Sequence, residues 1–365
     1  MDMIPVTQYT EAGNEMKYLK QVIDSKWLGG GPWVEKFEKL FANYCNVKHA
    51  SATSNGTNAL YLILKALDIK HGDEVIVPDN TFITPASMTL HAGAKPVLVD
   101  VQPDTFNMDP ALVEKAITPK TKAIIPVHLL GHPADMDEIN EIAAKHNIAV
   151  IEDAAEAHGA LYKKKKAGSL APISFFSFYG NKTITSGEGG MILSNDASFI
   201  EKCNLIRGHG MRPEKRYWHE VLGYNYRMTD LQAAVGVAQF EKIDTFLTRK
   251  KEIATLYGKH LSNVKGIVLP TVRPYATHSY WMYQIMVTKE FPLTRDELAV
   301  ELKKKNIDTR RAFYPAHVQP PYLQKGSFPN TNYCSENGLM IPMGANLTDE
   351  QVLHVSQSIR DIAGK

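Results

Sequence analysis

Cysteine is scarce in this 365-residue chain: Cys45, Cys203 and Cys334 are far apart and form no CxxC pair. That spacing argues against a disulfide framework or a zinc site and for a reducing compartment. An excess of one charge is missing too. Lys and Arg number 41 against 39 Asp and Glu, a formal net charge of +2, so composition calls for neither nucleic acid nor a membrane surface as partner. The basic run at 163–166 reads as a solvated hairpin tip. Residues 1–10 hold no apolar signal core and no apolar run reaches membrane-spanning length, so a cytoplasmic protein is expected. No G-x-G-x-x-G follows an early strand, which weighs against a nicotinamide oxidoreductase. No internal repeat and no low-complexity segment is visible.

What is present is a regular alternation. From residue 47 to about 193, short apolar runs such as 74–78, 96–100, 122–127 and 148–153 alternate with amphipathic stretches such as 109–117 and 135–146. The runs are near-continuous rather than alternating, as in strands buried on both faces. This predicts an α/β architecture around a mainly parallel sheet. A helix over about 242–261 leads into a region of different character, with strand-like segments at 280–287 and 308–311 and capping boxes at Thr294/Glu297 and Thr348/Gln351. The length exceeds what one core usually serves. The expected division is a large domain, residues 1–245, and a smaller α+β domain, residues 246–365.

The stretch 174–190, SFFSFYGNKTITSGEGG, places Lys182 in a turn between two apolar runs. A lysine taken out of water loses its proton readily and becomes a nucleophile. Upstream, Ser54-Asn-Gly-Thr57 opens a helix, where free N–H groups favour a phosphate, and Asp153 ends a strand at the mouth of the sheet. Each has a plainer reading: a solvated loop lysine, an ordinary N-cap, a capping carboxylate. Together they match what pyridoxal phosphate requires, namely an anion pocket, a carboxylate for the ring nitrogen and a Schiff-base lysine.

The phrases SNGTNAL (54–60), NTFITPA (80–86), EDAAEAHG (152–159), SFYGNKTITSGEGG (177–190) and GYNYRMTD (223–230) resemble the DegT/StrS-type nucleotide-sugar aminotransferases. That resemblance implies the PLP-dependent aspartate aminotransferase fold (type I) and a set of roles. Lys182 would bond pyridoxal 5'-phosphate and shuttle the proton. Asp153 would pair with the pyridine nitrogen, Phe82 would pack on the ring face unless it is a core aromatic, and Glu156 would lie near the ring's phenolic oxygen. Gly56, Thr57 and Ser177 would hold the phosphate. Asn225 would reach the phosphate of the neighbouring subunit, which implies a homodimer with shared active sites.

Within the family, these phrases together with RRAFYPAH (310–317) most resemble the branch that aminates C4 of GDP-4-keto-6-deoxymannose with L-glutamate. The alternatives are a dTDP-4-keto-6-deoxyglucose 4-aminotransferase and, from another class, a non-catalytic regulator that binds cofactor or sugar nucleotide. Arg311, Tyr314 and His317 are candidates for the nucleotide-linked keto sugar. Arg311 suits a diphosphate and equally suits a surface salt bridge. No metal is expected.

Overall fold

The computed structural model describes residues 2–364. After a first strand, β1 (His49–Thr53), apolar runs of four or five residues become strands: β2 (Glu74–Pro78), β3 (Lys95–Val99), β4 (Thr121–Ile124) and β5 (Ala149–Asp153). A hairpin of β6 (Leu161–Tyr162) and β7 (Lys165–Lys166) turns on Lys163 and Lys164, both at positive φ. Then follow β8 (Ile173–Ser177) and β9 (Gly190–Ser194). Seven strands form one sheet in the order β1-β9-β8-β5-β4-β2-β3. The pairs from β3 through β8 are parallel, and β9 lies antiparallel between β1 and β8. The sheet is therefore the mainly parallel one expected.

Phe175 and Phe176 show why the runs are continuous. Successive side chains on a strand point to opposite faces. Phe175 packs with Leu60, Ile63 and Ile192 on one side, and Phe176 with Phe37, Phe41 and Tyr162 on the other. Helices cover both faces, among them Pro32–Cys45, Gly56–Ala66 and Asp230–Phe240. β1 carries no aliphatic signal; His-Ala-Ser-Ala-Thr is drawn into the sheet by its five-residue pairing with β9.

Past residue 261 a second sheet appears, built from β10 (Ile267–Val268), β12 (Tyr283–Val287), β13 (Arg310–Arg311) and β14 (Gly338–Ile341), in the order β10-β12-β14-β13 and antiparallel throughout. Between β10 and β12, β11 (Ala276–Thr277) pairs back onto β6. Both expected capping boxes form, and a third sits at Thr229/Gln232. The Ile243–Leu261 helix joins the two regions: Ile243 and Phe246 pack in the first core, Ile253, Tyr257 and Leu261 in the second. The N-terminal end also lies against the second sheet, Ile4 bridging to Ile307 and the Val6 carbonyl accepting from the Met343 N–H. Among the described residues, no helix is long and apolar enough to cross a membrane.

Candidate active site

The carboxyl ends of β5 and β8 and the N-terminus of the Gly56–Ala66 helix open onto one cavity of about 460 Å³. In open α/β sheets this is where ligands lie. Asn55 caps the helix, its side chain accepting from the Asn58 N–H at 2.8 Å. The amides of Gly56 and Thr57 have no intrahelical acceptor and form the positive end of the helix dipole. Gly56 is required here because a Cβ would sit 2.8 Å from that of Ser177. The close approach brings the Ser177 hydroxyl beside the free amides.

Lys182 is held by the turn joining β8 to β9, closed by hydrogen bonds from the Phe178 N–H to the Gly189 carbonyl and from the Ser186 N–H to that of Phe178. Its side chain is only 10% exposed, with Nζ 3.8 Å from Glu156 Oε1 and 3.9 Å from the centroid of the Trp281 ring. Burial lowers its pKa, the carboxylates of Glu156 and Asp153 act in the opposite sense, and Arg310 lowers it further. The solvated-loop reading of this lysine is excluded. Asp153 ends β5 in a buried position, and Oδ1 accepts from the Ala155 N–H at 3.0 Å. Burial pushes its carboxyl up to about 7, so a cation brought against Oδ2 would stabilise the charged form. Glu156 is also raised by burial, and its Oε2 accepts from the Leu130 N–H at 2.7 Å. Phe82 lines the cavity while 57% exposed, touching Phe313 edge-on at 6.3 Å. It is therefore not a core aromatic; one ring face is open to the cavity.

Four expected site residues lie elsewhere. Asn225 is exposed, forms an isolated bridge with Gly208 and does not line this cavity, as a residue expected to serve the neighbouring subunit need not. Arg311 does not line it: the guanidinium stacks 3.3 Å over the Tyr314 ring and donates to the Ala312 carbonyl. Tyr314 supports that guanidinium and is otherwise solvent-facing. His317 is engaged by Asp79, Nδ1 to Oδ2 at 2.6 Å, and stacks on Phe328. For Arg311 the physical reason is strand alternation. Arg310 and Arg311 are neighbours on β13 and must face opposite ways, and it is Arg310 that lines the cavity. Trp281 and Phe313 line it as well and were not anticipated. The pairing of Arg310 with Met340 decides which arginine points inward, and that register is invisible in one strand's sequence. Trp281 had a usable signal, since a tryptophan inside an apolar run must find an acceptor for its N–H.

The set suits one kind of group: an anion for the free amides, a protonatable ring nitrogen for Asp153, a flat ring for Phe82 and a carbonyl carbon for Lys182. Among the described residues no cluster of His, Cys, Asp or Glu could hold a metal ion.

Comparisons with known proteins identify the family. The description of the DegT/DnrJ/EryC1/StrS aminotransferase family matches residues 10–360. The chain is 45% identical to GDP-perosamine synthase of Caulobacter vibrioides over 354 residues, 96% of this chain and 95% of that protein. It is 43% identical to the enzyme of the same name from Escherichia coli O157:H7, over 99% of both. Among solved structures it matches DesV of S. venezuelae in complex with a ketimine intermediate, with a TM-score of 0.94, 34% identity and 100% coverage of both chains. It matches Spr1654 of Streptococcus pneumoniae in its PLP form with a TM-score of 0.93 and 28% identity, over 99% of both chains. The chain belongs to the DegT/DnrJ/EryC1/StrS aminotransferase family and is an aminotransferase with the fold of that family's PLP enzymes.

Proposed function

We propose that this protein uses pyridoxal 5'-phosphate to transfer the amino group of L-glutamate to C4 of GDP-4-keto-6-deoxymannose, giving GDP-perosamine. The observation that carries the reading is the meeting of Lys182, Asp153 and a free helix N-terminus in one cavity. The choice of sugar rests on the full-length relatives named GDP-perosamine synthase. The cytoplasm is the proposed location, and the cleft lies between a large domain, residues 1–245, and a smaller one, residues 246–365.

The cofactor, when bound, supplies the electron sink and carries the amino group between the two substrates. The amides of Gly56 and Thr57 and the hydroxyl of Ser177 hold its phosphate. Asp153 keeps the ring nitrogen protonated, Phe82 covers a ring face and Glu156 stands beside the ring oxygen. Lys182 is the nucleophile. Burial brings its amine toward neutrality, so the same Nζ gives and takes the proton at the reacting carbon. Arg310 is the only guanidinium lining the cavity among the described residues. Both substrates are anions, and Arg310 takes the role expected of Arg311: it receives the carboxylate of glutamate and then the diphosphate of the sugar nucleotide. Asn225, exposed and outside the lining of its own chain's cavity, completes the phosphate site of a partner subunit in a homodimer.

The test is a substrate panel. Protein loaded with cofactor and glutamate is offered GDP-4-keto-6-deoxymannose and dTDP-4-keto-6-deoxyglucose, with amino-sugar formation followed by mass. Preference for the GDP substrate is expected. Preference for the dTDP substrate refutes the sugar and keeps the chemistry. No change in the cofactor's absorbance on adding glutamate refutes the chemistry and leaves a binding protein.

A further inference from the structure

Two buried lysines flank one tryptophan. Lys250, on the Ile243–Leu261 helix, is 3% exposed, and its Nζ donates to the carbonyls of Met343 at 2.7 Å and of Tyr280 and Trp281 at 3.3 Å each, while burial lowers its pKa to about 7. These three acceptors match the three protons of the charged form, which is the form they favour. Residues 280–281 are thereby pinned to the helix that joins the two cores. Trp281, also buried, donates its indole Nε1–H to the Asn181 carbonyl at 2.8 Å, and its ring lies 3.9 Å from Lys182 Nζ. One residue therefore connects Lys250 both to the turn that carries Lys182 and to the Lys182 amine itself.

We infer that Trp281, fixed in place by Lys250, holds the Lys182 amine ready whenever that amine is not bonded to the cofactor. The ring face receives the ammonium, and the indole N–H fixes the turn from which it projects. The inference rests on Lys182 being the nucleophile proposed above. The charged and titratable groups that act on Lys182 are Glu156, Asp153, Arg310 and His158. Glu156 is the nearest, yet at 3.8 Å it makes no hydrogen bond to the amine. A carboxylate in full contact would lock the proton on. A ring attracts an ammonium without accepting a directed hydrogen bond from it, so the amine is kept near and can still turn toward a substrate.

The experiment reads the amine directly. Apoprotein is labelled with trace acetic anhydride over a range of pH, and modification of Lys182 is quantified by mass. In Trp281→Leu the apparent pKa of Lys182 is expected to fall by about one unit, because the cavity stays apolar while the cation–π attraction is lost. An unchanged or raised value overturns the inference, a rise meaning that the ring only excluded water. Trp281→Phe keeps a ring face and loses the N–H. Its pKa should fall less, while amide hydrogen exchange at residues 180–182 quickens about tenfold. Lys250→Met should quicken the same amides, with the double variant Lys250→Met/Trp281→Phe no faster than the single ones. Additive effects would refute the Lys250 link, and the two tryptophan variants decide the rest should Lys250→Met fail to fold. Borohydride trapping of the cofactor in the holoprotein tests the nucleophile independently: no adduct at Lys182 refutes that assignment, whatever the labelling shows.

Discussion

The wall of the cleft formed by the first sheet consists of groups whose protonation is set by burial, whereas the wall brought by the second sheet supplies a permanent charge and aromatic surface. Asp153, Glu156 and Lys182 are all shifted toward neutrality, desolvation being the leading cause for each. Arg310, by contrast, is exposed and forms no ion pair with a carboxylate among the described residues, and Phe313 beside it is half-buried. Chemistry that moves protons needs the first kind of environment. Recognition of anionic substrates needs the second, a cation that stays charged at any working pH. The cleft separates the two tasks by building each wall from a different sheet.

If that division is right, substitutions on the two walls fail differently. Lys182→Ala should give the largest effect, a loss of at least about 10³-fold in turnover with nucleotide-sugar affinity kept. Asp153→Asn should cost about 10²-fold and weaken cofactor retention, since a buried amide cannot stabilise a protonated ring nitrogen. Single-turnover amination followed by mass, beside equilibrium binding of the sugar nucleotide, separates the two quantities. A large loss of sugar-nucleotide binding in either variant would break the comparison.

His132 tests how the two walls are tied together. Its ring is buried on the loop after β4, with Nδ1–H donating to the Pro133 carbonyl at 2.7 Å and Nε2 accepting from the N–H of Arg273, on the approach to the second sheet. The second bond requires the neutral imidazole, because a protonated Nε2 cannot accept; the first is open to either form. Desolvation holds its pKa down at about 4 against an ordinary 6.5. A base depressed on folding stabilises fully above 6.5 and loses that contribution as pH falls through 4. The contribution amounts to about 3 kcal/mol. His132→Gln should be less stable than the parent at pH 8, and the gap should close by roughly that amount at pH 4, as measured by urea unfolding. A gap independent of pH would show that His132 does not titrate across folding.

The first wall was legible because its parts are local. Asp153 ends an apolar run, SNGT opens a helix and Lys182 sits in a short turn between two strands; each is recognisable within about ten residues of chain. The sheet was legible for the same reason, except β1, whose residues form a strand only because β9 lies beside them. The second wall depends on register. β13 is two residues long, and which arginine faces the cavity follows from its pairing with β14, thirty residues onward. His317 suited a polar active-site role until the fold placed Asp79, at the end of β2, within 2.6 Å of its ring. Asn225 belongs to a third category, since nothing within one chain brings it to a cavity.

Arg310 and Arg311 therefore make the sharpest comparison, two like side chains one residue apart with different surroundings. Arg310→Met removes a cation that faces the cavity. A charge-assisted hydrogen bond to a phosphate or carboxylate is worth about 1.5–3 kcal/mol, so KM for the sugar nucleotide should rise at least about tenfold. The loss should shrink as salt is added, because an exposed cation acts through a screened field. Arg311→Met removes a half-buried guanidinium stacked on Tyr314 and bonded to Ala312 and Ser335, a stacking contact of about 0.5–1 kcal/mol, and should change KM by less than about threefold with a small drop in stability. Equal effects would mean that β13 presents both side chains to the substrate and that alternation does not govern this edge. A larger effect at Arg311 would return the anion site to the outer rim and leave Arg310 to tune Lys182 through charge alone.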